Sequence, residues 1–244
     1  QGFDAYFVDH TLGVFPQAKR TTVKDYLKHH QVMVGDNVVT QFDTPLSEGD
    51  VVKVNTTREF QVFSHPRMRL VYEDDDIIVV DKGYGLLSMG TDKIKEGTAY
   101  SILREYLKRK DPRNKLFIIH RLDRDTSGLM MFAKSMQAKE NMQHNWNNMV
   151  LERKYVAVTE GAPEPAEGEI RSYLAENEAH EVYSTNDPEK GKLAVTYYAT
   201  LRDRKPYALV ELSLATGRKN QIRVHMKDAG HPIAVDRRYG ATSS

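Results

Sequence analysis

The sequence predicts an α+β protein. Its larger domain is expected to hold a mixed, mainly antiparallel sheet with flanking helices, and a small helix-and-hairpin domain precedes it. Strand patterns follow one another from residue 150 to residue 216, with turn residues between them and few helical patterns. Helical spacing of apolar residues is found instead at 20–30, 98–110, 135–149 and 218–230.

The composition is that of a folded chain with a core. Of its 244 residues 40% are hydrophobic, and no apolar run of about 18 residues predicts a membrane span. The absence of cysteine excludes disulfides, thiolate catalysis and cysteine-ligated zinc, and it fits a cytoplasmic location. Because the formal net charge is only +1, any binding of nucleic acid must come from local basic clusters.

A domain boundary is predicted near residue 64, which gives domains 1–64 and 65–244. The front domain combines the helix at 20–30 with short strands beside turns, and "TREFQVFSHP" is expected to be an extended connector. The helix carries a basic cluster that either contacts phosphates or is a solvated face. The cluster consists of Lys19, Arg20, Lys24 and Lys28.

The larger domain opens with two apolar strand patterns in "LVYEDDDIIVVDKGYGLL", followed by a glycine-rich turn. Thr98 is predicted to cap the next helix, and Ser135 the one after it. Five strand patterns run from "VLERKYVAVTEG" to "PYALVELSLAT". The last helix is expected to end at Gly230.

A dense group of titratable residues lies between the apolar strand patterns "KLFII" and "GLMMFA": His120, Arg121, Asp123, Arg124 and Asp125. Loops held by buried strands often display catalytic groups. A carboxylate close to the core also needs a cationic partner to stay ionised. The residues alone therefore leave open whether Asp123 is catalytic or only ties the loop to an arginine.

Other chemistries have less support. His120, Asp123 and Ser127 have the residue types of a hydrolase triad, but they crowd into one loop and no "GxSxG" is present. The nine histidines show no metal-ligand spacing, and no "GxGxxG" or "GK[ST]" indicates a nucleotide cofactor. A sugar hydrolase that pairs Asp123 with Asp125 is the enzymatic alternative.

The charged loop also carries a family signature. "HRLDRDTSG" resembles the "HRLDxxTSG" of the RluA-type pseudouridine synthases. "ERKYVAVTEG" is similar to the family's "KxYxAxVxG" strand, and "TGRKNQIRVHMKDAGHPIAVDRRYG" to its closing motif "TGRxHQIRxHxxxxGHPIxGDxxYG". "EDDDIIVVDKGYGLL" resembles the start of the family's catalytic domain. Residues 1–64 resemble, more loosely, the small RNA-binding domain found before it.

The resemblance implies an enzyme that isomerises uridine to pseudouridine in ribosomal or transfer RNA, with no metal or cofactor. It implies that Asp123 is catalytic, that Tyr155 stacks on the target base and that Arg223 pairs with Asp123. Arg121 is expected to fill the space that a flipped uridine leaves. Further substrate contacts are expected from His120, Thr126, Gly128, Arg218, Gln221 and His225.

The chain departs from the family pattern in three places. Asn220 replaces the histidine of "TGRxHQIR" and cannot titrate, so it is not expected to be the general base. Val235 precedes Asp236 where glycine is common, which puts the backbone geometry there in question. The chain also ends at "YGATSS", before the segment with which the family completes its domain, so that segment is expected to be missing. Gln1 in place of Met further indicates that the true start is missing.

The rival class of function is a catalytically inactive protein that binds or remodels RNA. Asp123, Tyr155 and Arg223 all match the family motifs, which favours the enzyme. The protein is expected to be a monomer with RNA as its partner and no attachment to membranes.

Overall fold

The computed structural model describes residues 5–6, 19–35, 37–57, 59–60, 63–91 and 94–243. The chain forms two compact units, Gln1–Glu140 and Asn141–Ser244. The predicted boundary near residue 64 lies inside the first unit and stays a prediction. Within the described ranges, no helix is both long enough and apolar enough to cross a membrane.

The first unit starts with a small helix-and-sheet module. Helix α1 (Arg20–Lys28) buries Val23 and Leu27, one turn apart, against Val32. A three-stranded sheet has the order β3-β2-β5, and a separate pair joins β1 to β4. The strands are β1 (Ala5–Tyr6), β2 (Val32–Val34), β3 (Asn37–Val38), β4 (Pro45–Leu46) and β5 (Val52–Val54). The predicted helix and hairpin are therefore both present.

A four-stranded antiparallel sheet in the order β6-β7-β9-β8 forms the rest of the first unit. Its strands are β6 (Met68–Glu73), β7 (Ile77–Lys82), β8 (Phe117–Ile118) and β9 (Gly128–Ala133). Every second residue of β7 is buried, and the last of these is a lysine: Ile78, Val80 and Lys82. Strand β8 is shorter than the "KLFII" pattern, so the charged loop begins earlier than predicted.

The predicted caps of two helices are confirmed. Helix α2 (Ala99–Lys110) begins with a capping box, in which Thr98 Oγ1 accepts from the Ser101 N–H at 3.2 Å and Ser101 Oγ accepts from the Thr98 N–H at 2.9 Å. Ser135 Oγ accepts from the Ala138 N–H at 3.0 Å, at the start of helix α3 (Met136–His144).

The single helix predicted at 135–149 is interrupted. Helix α3 ends at His144, and a short helix α4 (Trp146–Met149) follows. Between them, the Asn145 amide donates to the Asn141 backbone carbonyl at 3.1 Å and to its side-chain oxygen at 2.7 Å. Asparagine competes with the backbone for helical hydrogen bonds in this way, which accounts for the break.

The second unit is a five-stranded sheet in the order β10-β14-β13-β11-β12, and every pairing in it is antiparallel. Its strands are β10 (Lys154–Glu160), β11 (Glu167–Glu176), β12 (Val182–Thr185), β13 (Lys192–Arg204) and β14 (Tyr207–Leu214). Helix α5 (Gln221–Asp228) packs on one face, where Met226 contacts Val210 and Leu212. The α+β class and the antiparallel character are thus confirmed.

The backbone around α5 shows why the element has these limits. Asn220, just before the helix, has φ 52°, and asparagine tolerates this left-handed region better than most residues. Gly230, just after it, has φ +79°, as expected of a residue that terminates a helix. Val235 also has φ 68°. The backbone there keeps a conformation that suits glycine, and a β-branched residue carries it at a cost of about 1–3 kcal/mol.

A half-buried carboxylate ties α2 to the four-stranded sheet. Glu73, on β6, accepts from Tyr106 Oη at 3.1 Å, from Lys110 Nζ at 2.9 Å and from Lys134 Nζ at 3.1 Å. Burial by itself would raise the pKa of Glu73, but the hydrogen bonds from the two lysines outweigh it and the pKa is lowered. The carboxylate therefore stabilises the fold while it is ionised.

We expect Glu73→Gln to destabilise the first unit by about 1–3 kcal/mol, because the amide cannot serve three donors as a carboxylate does. Since the folded pKa lies below the unfolded value of about 4.3, the carboxylate stabilises the fold above that pH and the effect fades as pH falls through the folded pKa. Denaturant unfolding at several pH values measures this difference. Glu169→Gln, at an exposed ion pair with Arg171, is the control and should cost less than about 1 kcal/mol.

Candidate active site

The charged loop spans residues 119–127, between β8 and β9. Its apolar residue Leu122 is buried and is held at both backbone groups by Ser88. Ser88 Oγ donates to the Leu122 carbonyl at 2.5 Å and accepts from the Leu122 N–H at 3.1 Å. The Thr126 N–H donates to the Asp123 carbonyl at 3.1 Å and closes a turn. Asp123 thus follows an anchored residue and opens a turn, which fixes its position.

A buried ammonium group supports this loop from below. The Lys82 side chain is 0% exposed, and its Nζ donates to the carbonyls of Leu86 at 2.8 Å, Gly83 at 3.2 Å and Arg124 at 3.2 Å. Burial lowers the pKa of Lys82, whereas the carboxylates of Asp125 and Asp123 act to raise it. The loop that carries two acidic residues therefore rests on a cation.

The ends of the loop are joined to β9. His120 Nε2 accepts from the Met131 N–H at 3.0 Å. Gly128, the first residue of β9, pairs with Lys82 across the sheet and has φ +125°, a conformation that favours glycine. The structure gives both residues a role in holding the loop, and the substrate contacts predicted for them stay predictions.

Arg121 lies on the surface of the loop. Its side chain is exposed, and its Nη1 lies 3.9 Å from the sulfur of Met89. Thr126 is half-buried in the same turn as Asp123. These positions agree with groups that face a substrate, and the substrate contacts of Arg121 and Thr126 stay predictions.

In the second unit, Arg223 of α5 forms a bidentate ion pair with Asp236. The Nε–Oδ2 distance is 2.6 Å and the Nη2–Oδ1 distance is 2.9 Å. The guanidinium carbon also lies 4.5 Å from the centroid of the Tyr239 ring. The predicted pairing of Arg223 with Asp123 would join residues of different units, and it stays a prediction.

Tyr155 is half-buried on β10, paired in register with Leu212 of β14. It packs with Met226 and with the apolar face of β14. This is the strand position that the sequence predicted, and the ring reaches the layer in which α5 lies.

Two motif residues predicted to touch substrate are buried instead. Gln221 is 2% exposed and His225 is 0% exposed. Gln221 Nε2 donates to the Val195 carbonyl at 3.0 Å and to Thr196 Oγ1 at 2.9 Å. The ring nitrogens of His225 lie 2.8 Å from Thr196 Oγ1 and 3.0 Å from Ser172 Oγ. These contacts fasten α5 to the sheet, and burial lowers the pKa of His225.

Arg218 lies just before α5 and is exposed. Its side-chain Nε donates to the Leu193 carbonyl at 3.0 Å, and its backbone N–H donates to Gln221 Oε1 at 3.0 Å. Thr216 Oγ1 also donates to Gln221 Oε1, at 2.8 Å. The Gln221 amide therefore organises the turn that leads into α5.

Sequence reasoning missed Lys82, Ser88 and Asp236 as parts of these sites. A signal for Lys82 existed, because it occupies the buried phase of the alternating strand "IIVVDK". The sequence offered no comparable signal for Ser88, whose partner Leu122 is 34 residues away.

Comparison of the sequence with known proteins identifies the family of this chain. A family model described as RNA pseudouridylate synthase matches residues 76–228. The uncharacterized RNA pseudouridine synthase YlyB of Bacillus subtilis is 34% identical over 227 residues, which cover 91% of this chain and 74% of that protein.

Two further similarities extend this result. The ribosomal large subunit pseudouridine synthase D of Neisseria meningitidis is 32% identical over 230 residues, which cover 93% of this chain and 61% of the relative. The human RNA pseudouridylate synthase domain containing 4 superposes with a TM-score of 0.58 and 26% identity, over 70% of this chain and 68% of that one. The family match includes the loop of Asp123, strand β10 and helix α5, and the chain belongs to the RNA pseudouridylate synthase family.

Proposed function

We propose that this synthase modifies uridines of ribosomal RNA and that Asp123 is its catalytic carboxylate. The substrate class is supported by the Neisseria meningitidis relative, whose name specifies the large ribosomal subunit. Transfer RNA is the alternative substrate, and mapping pseudouridines in cells that lack the gene distinguishes the two. We further propose that the protein acts as a monomer in the cytoplasm, in keeping with a chain that has no cysteine.

The isomerisation exchanges one bond for another. The bond between ribose C1′ and uracil N1 breaks, the uracil turns over, and a new bond forms between C1′ and C5. C5 loses a proton and N1 gains one, so no group is lost and no electrons are gained or lost overall. The enzyme must supply a group that acts as nucleophile or base, a surface that holds the detached uracil, and an acceptor for the C5 proton.

Asp123 is proposed as the nucleophile or base because hydrogen bonds on both sides of it fix the position of its loop. Ser88 anchors the preceding residue, Lys82 supports the carbonyl of the following one, and Asp123 itself opens the turn. Positioning of this kind accounts for much of the power of a catalytic group.

Arg223 is proposed as the cationic partner of Asp123. A guanidinium has five N–H donors, so the pair with Asp236 is compatible with a second carboxylate. Asp236 and the Tyr239 ring would hold the guanidinium in one orientation while it contacts Asp123.

Tyr155 is proposed to stack on the uracil and to assist the departure of the C5 proton, and Arg121 to occupy the space left by the flipped base. The exposed guanidinium of Arg121 on the same loop as Asp123 supports this role. Arg218 and Thr126 remain proposed substrate contacts. Gln221 and His225 are assigned instead to holding α5 on its sheet, because both are buried and bonded internally.

Asp123→Asn is expected to abolish tritium release from RNA labelled at uracil C5 and to leave RNA affinity within about threefold of the parent. The amide has nearly the same shape but is a far weaker nucleophile and base. Asp125→Asn, two residues along the same loop, is the matched control and should retain turnover. Tritium release by Asp123→Asn at close to the parent rate would show that another residue is catalytic.

Arg223→Ala is expected to remove activity and to lower stability by about 3 kcal/mol, since the ion pair with Asp236 is mostly buried. Arg223→Lys should recover a small part of both, because an ammonium cannot form the bidentate pair. Tritium release and thermal melting measure the two effects. Asp236→Asn separates them: it should lower the melting temperature and keep more turnover than Arg223→Ala, and equal loss of turnover would contradict a direct role for Arg223.

The basic cluster of α1 (Lys19, Arg20, Lys24 and Lys28) is proposed to contact phosphates of the RNA. All four side chains are exposed, and Arg20, Lys24 and Lys28 recur every four residues along one side of the helix, next to the stripe that buries Val23 and Leu27. Lys24 Nζ lies 4.9 Å from the centroid of the Phe42 ring, which places a cation and an aromatic ring side by side.

Replacement of all four basic residues by glutamine should weaken binding of structured ribosomal RNA and flatten its salt dependence. Each lost phosphate contact lowers the slope of log affinity against log salt by about 0.7–0.9. Turnover on a short accessible RNA fragment should be unchanged, because the catalytic residues lie outside α1. Filter binding from low to high salt measures the slope, and equal slopes for variant and parent would identify the cluster as a solvated face.

A further inference from the structure

An exposed tyrosine stands beside the loop of Asp123 and has no part in the chemistry described above. Tyr84 is 70% exposed, in the turn "KGYG" that follows β7. Single exposed apolar residues are common on proteins and by themselves indicate nothing. Tyr84 differs from them because the backbone on both sides of it is fixed.

The turn is held by hydrogen bonds on each flank of the tyrosine. The Gly83 N–H donates to the Arg67 carbonyl at 2.7 Å, and the Gly85 N–H donates to the Arg124 carbonyl at 3.0 Å. The buried ammonium of Lys82 donates to the Gly83 carbonyl as well. Tyr84 is therefore carried on a rigid support that is bonded directly to the residue after Asp123.

The backbone geometry of the turn requires glycine at Gly83 and Gly85, but it does not require a tyrosine between them. A Cβ on Gly83 would lie 2.8 Å from the Arg67 carbonyl oxygen, and Gly85 has φ +77°. The Tyr84 side chain makes no hydrogen bond with any residue that the structure describes. The fold would accept a small polar residue at this position, so the aromatic ring needs another reason.

Two arginines lie at the turn that carries the ring. Arg67 Nη1 would lie 3.5 Å from a Cβ on Gly85, so the guanidinium lies against the turn itself. Arg124 is paired with Asp125 in the loop, and its backbone carbonyl accepts the Gly85 N–H beside the tyrosine. An exposed aromatic face next to guanidinium groups is the combination by which proteins hold single-stranded nucleic acid, with the ring against a base and the cation against a phosphate.

We propose that Tyr84 is a stacking platform for an unpaired nucleobase next to the target uridine, and that Arg67 contacts a phosphate of the same strand. The inference rests on the reaction proposed for Asp123. The turn of Tyr84 is joined to the loop of Asp123 by the hydrogen bond from the Gly85 N–H to the Arg124 carbonyl. A flipped uridine leaves its neighbours unstacked, and a fixed aromatic ring beside the site would capture one of them. Tyr84 is thus a positioning residue that selects RNA with an unpaired flanking base.

The test uses a single-stranded RNA with one uridine between two 2-aminopurines, bound to the full chain carrying Asp123→Asn. Stacking on Tyr84 should quench the fluorescence, and Tyr84→Ala should remove the quenching and weaken binding about tenfold, as expected for one stacked base. Tyr84→Phe should restore both, because the ring stacks without its hydroxyl. Tyr183→Ala, at an exposed tyrosine of the second unit, is the control and should change neither.

Kinetics with active protein supply a second reading. Tyr84→Ala should raise KM for ribosomal RNA about tenfold with little change in kcat, and should leave the melting temperature unchanged because the side chain is exposed. Arg67→Gln should reduce the salt slope of binding by about 0.7. Quenching and KM that are the same in Tyr84→Ala and the parent would overturn the proposal.

Two other results would also overturn it. If Tyr84→Ala left RNA binding intact but abolished association with another protein, the exposed ring would belong to a protein interface. If it lowered kcat alone, Tyr84 would act on the chemistry. Absence of tritium release from the parent protein would instead contradict the reaction proposed for Asp123. The fluorescence experiment measures binding alone, so it would still test the role of Tyr84 independently.

Discussion

The buried ammonium of Lys82 is the interaction on which the loop of Asp123 depends. An unpaired ammonium in the protein interior is costly, and here three backbone carbonyls and two nearby carboxylates offset that cost. Lys82 itself ends β7, and its partners come from the turn after β7 and from the loop of Asp123. One side chain thus holds three segments in place together, and the position of the proposed catalytic carboxylate follows from the same requirement.

In the second unit, buried uncharged side chains hold helix α5 in place, much as Lys82 holds the loop of Asp123 in the first unit. Gln221 and His225 both form a hydrogen bond with Thr196 Oγ1, and His225 also forms one with Ser172 Oγ of strand β11. A fully bonded polar network inside a core specifies one arrangement, because any shift leaves a buried group without its partner. Helix α5 is therefore fixed in rotation as well as in place, and the orientation of Arg223 is determined by residues that need not touch RNA.

The sequence predicted what depends on neighbouring residues. The capping box of Thr98, the end of α5 near Gly230 and the signature around Asp123 could all be read within short windows. The buried polar contacts could not, because Lys82 bonds a carbonyl 42 residues away and His225 a hydroxyl 29 residues away. Gln221 and His225 illustrate the limit: the motif identified them as important and could not say that they face inward.

Val235 shows that part of this site is held at a cost. Its left-handed backbone directly precedes Asp236, the partner of Arg223, and glycine would adopt the same conformation without a Cβ clash. Every valine codon becomes a glycine codon by a single base change. The strained residue is therefore within one mutational step of relief, and the genetic code sets no barrier to that step.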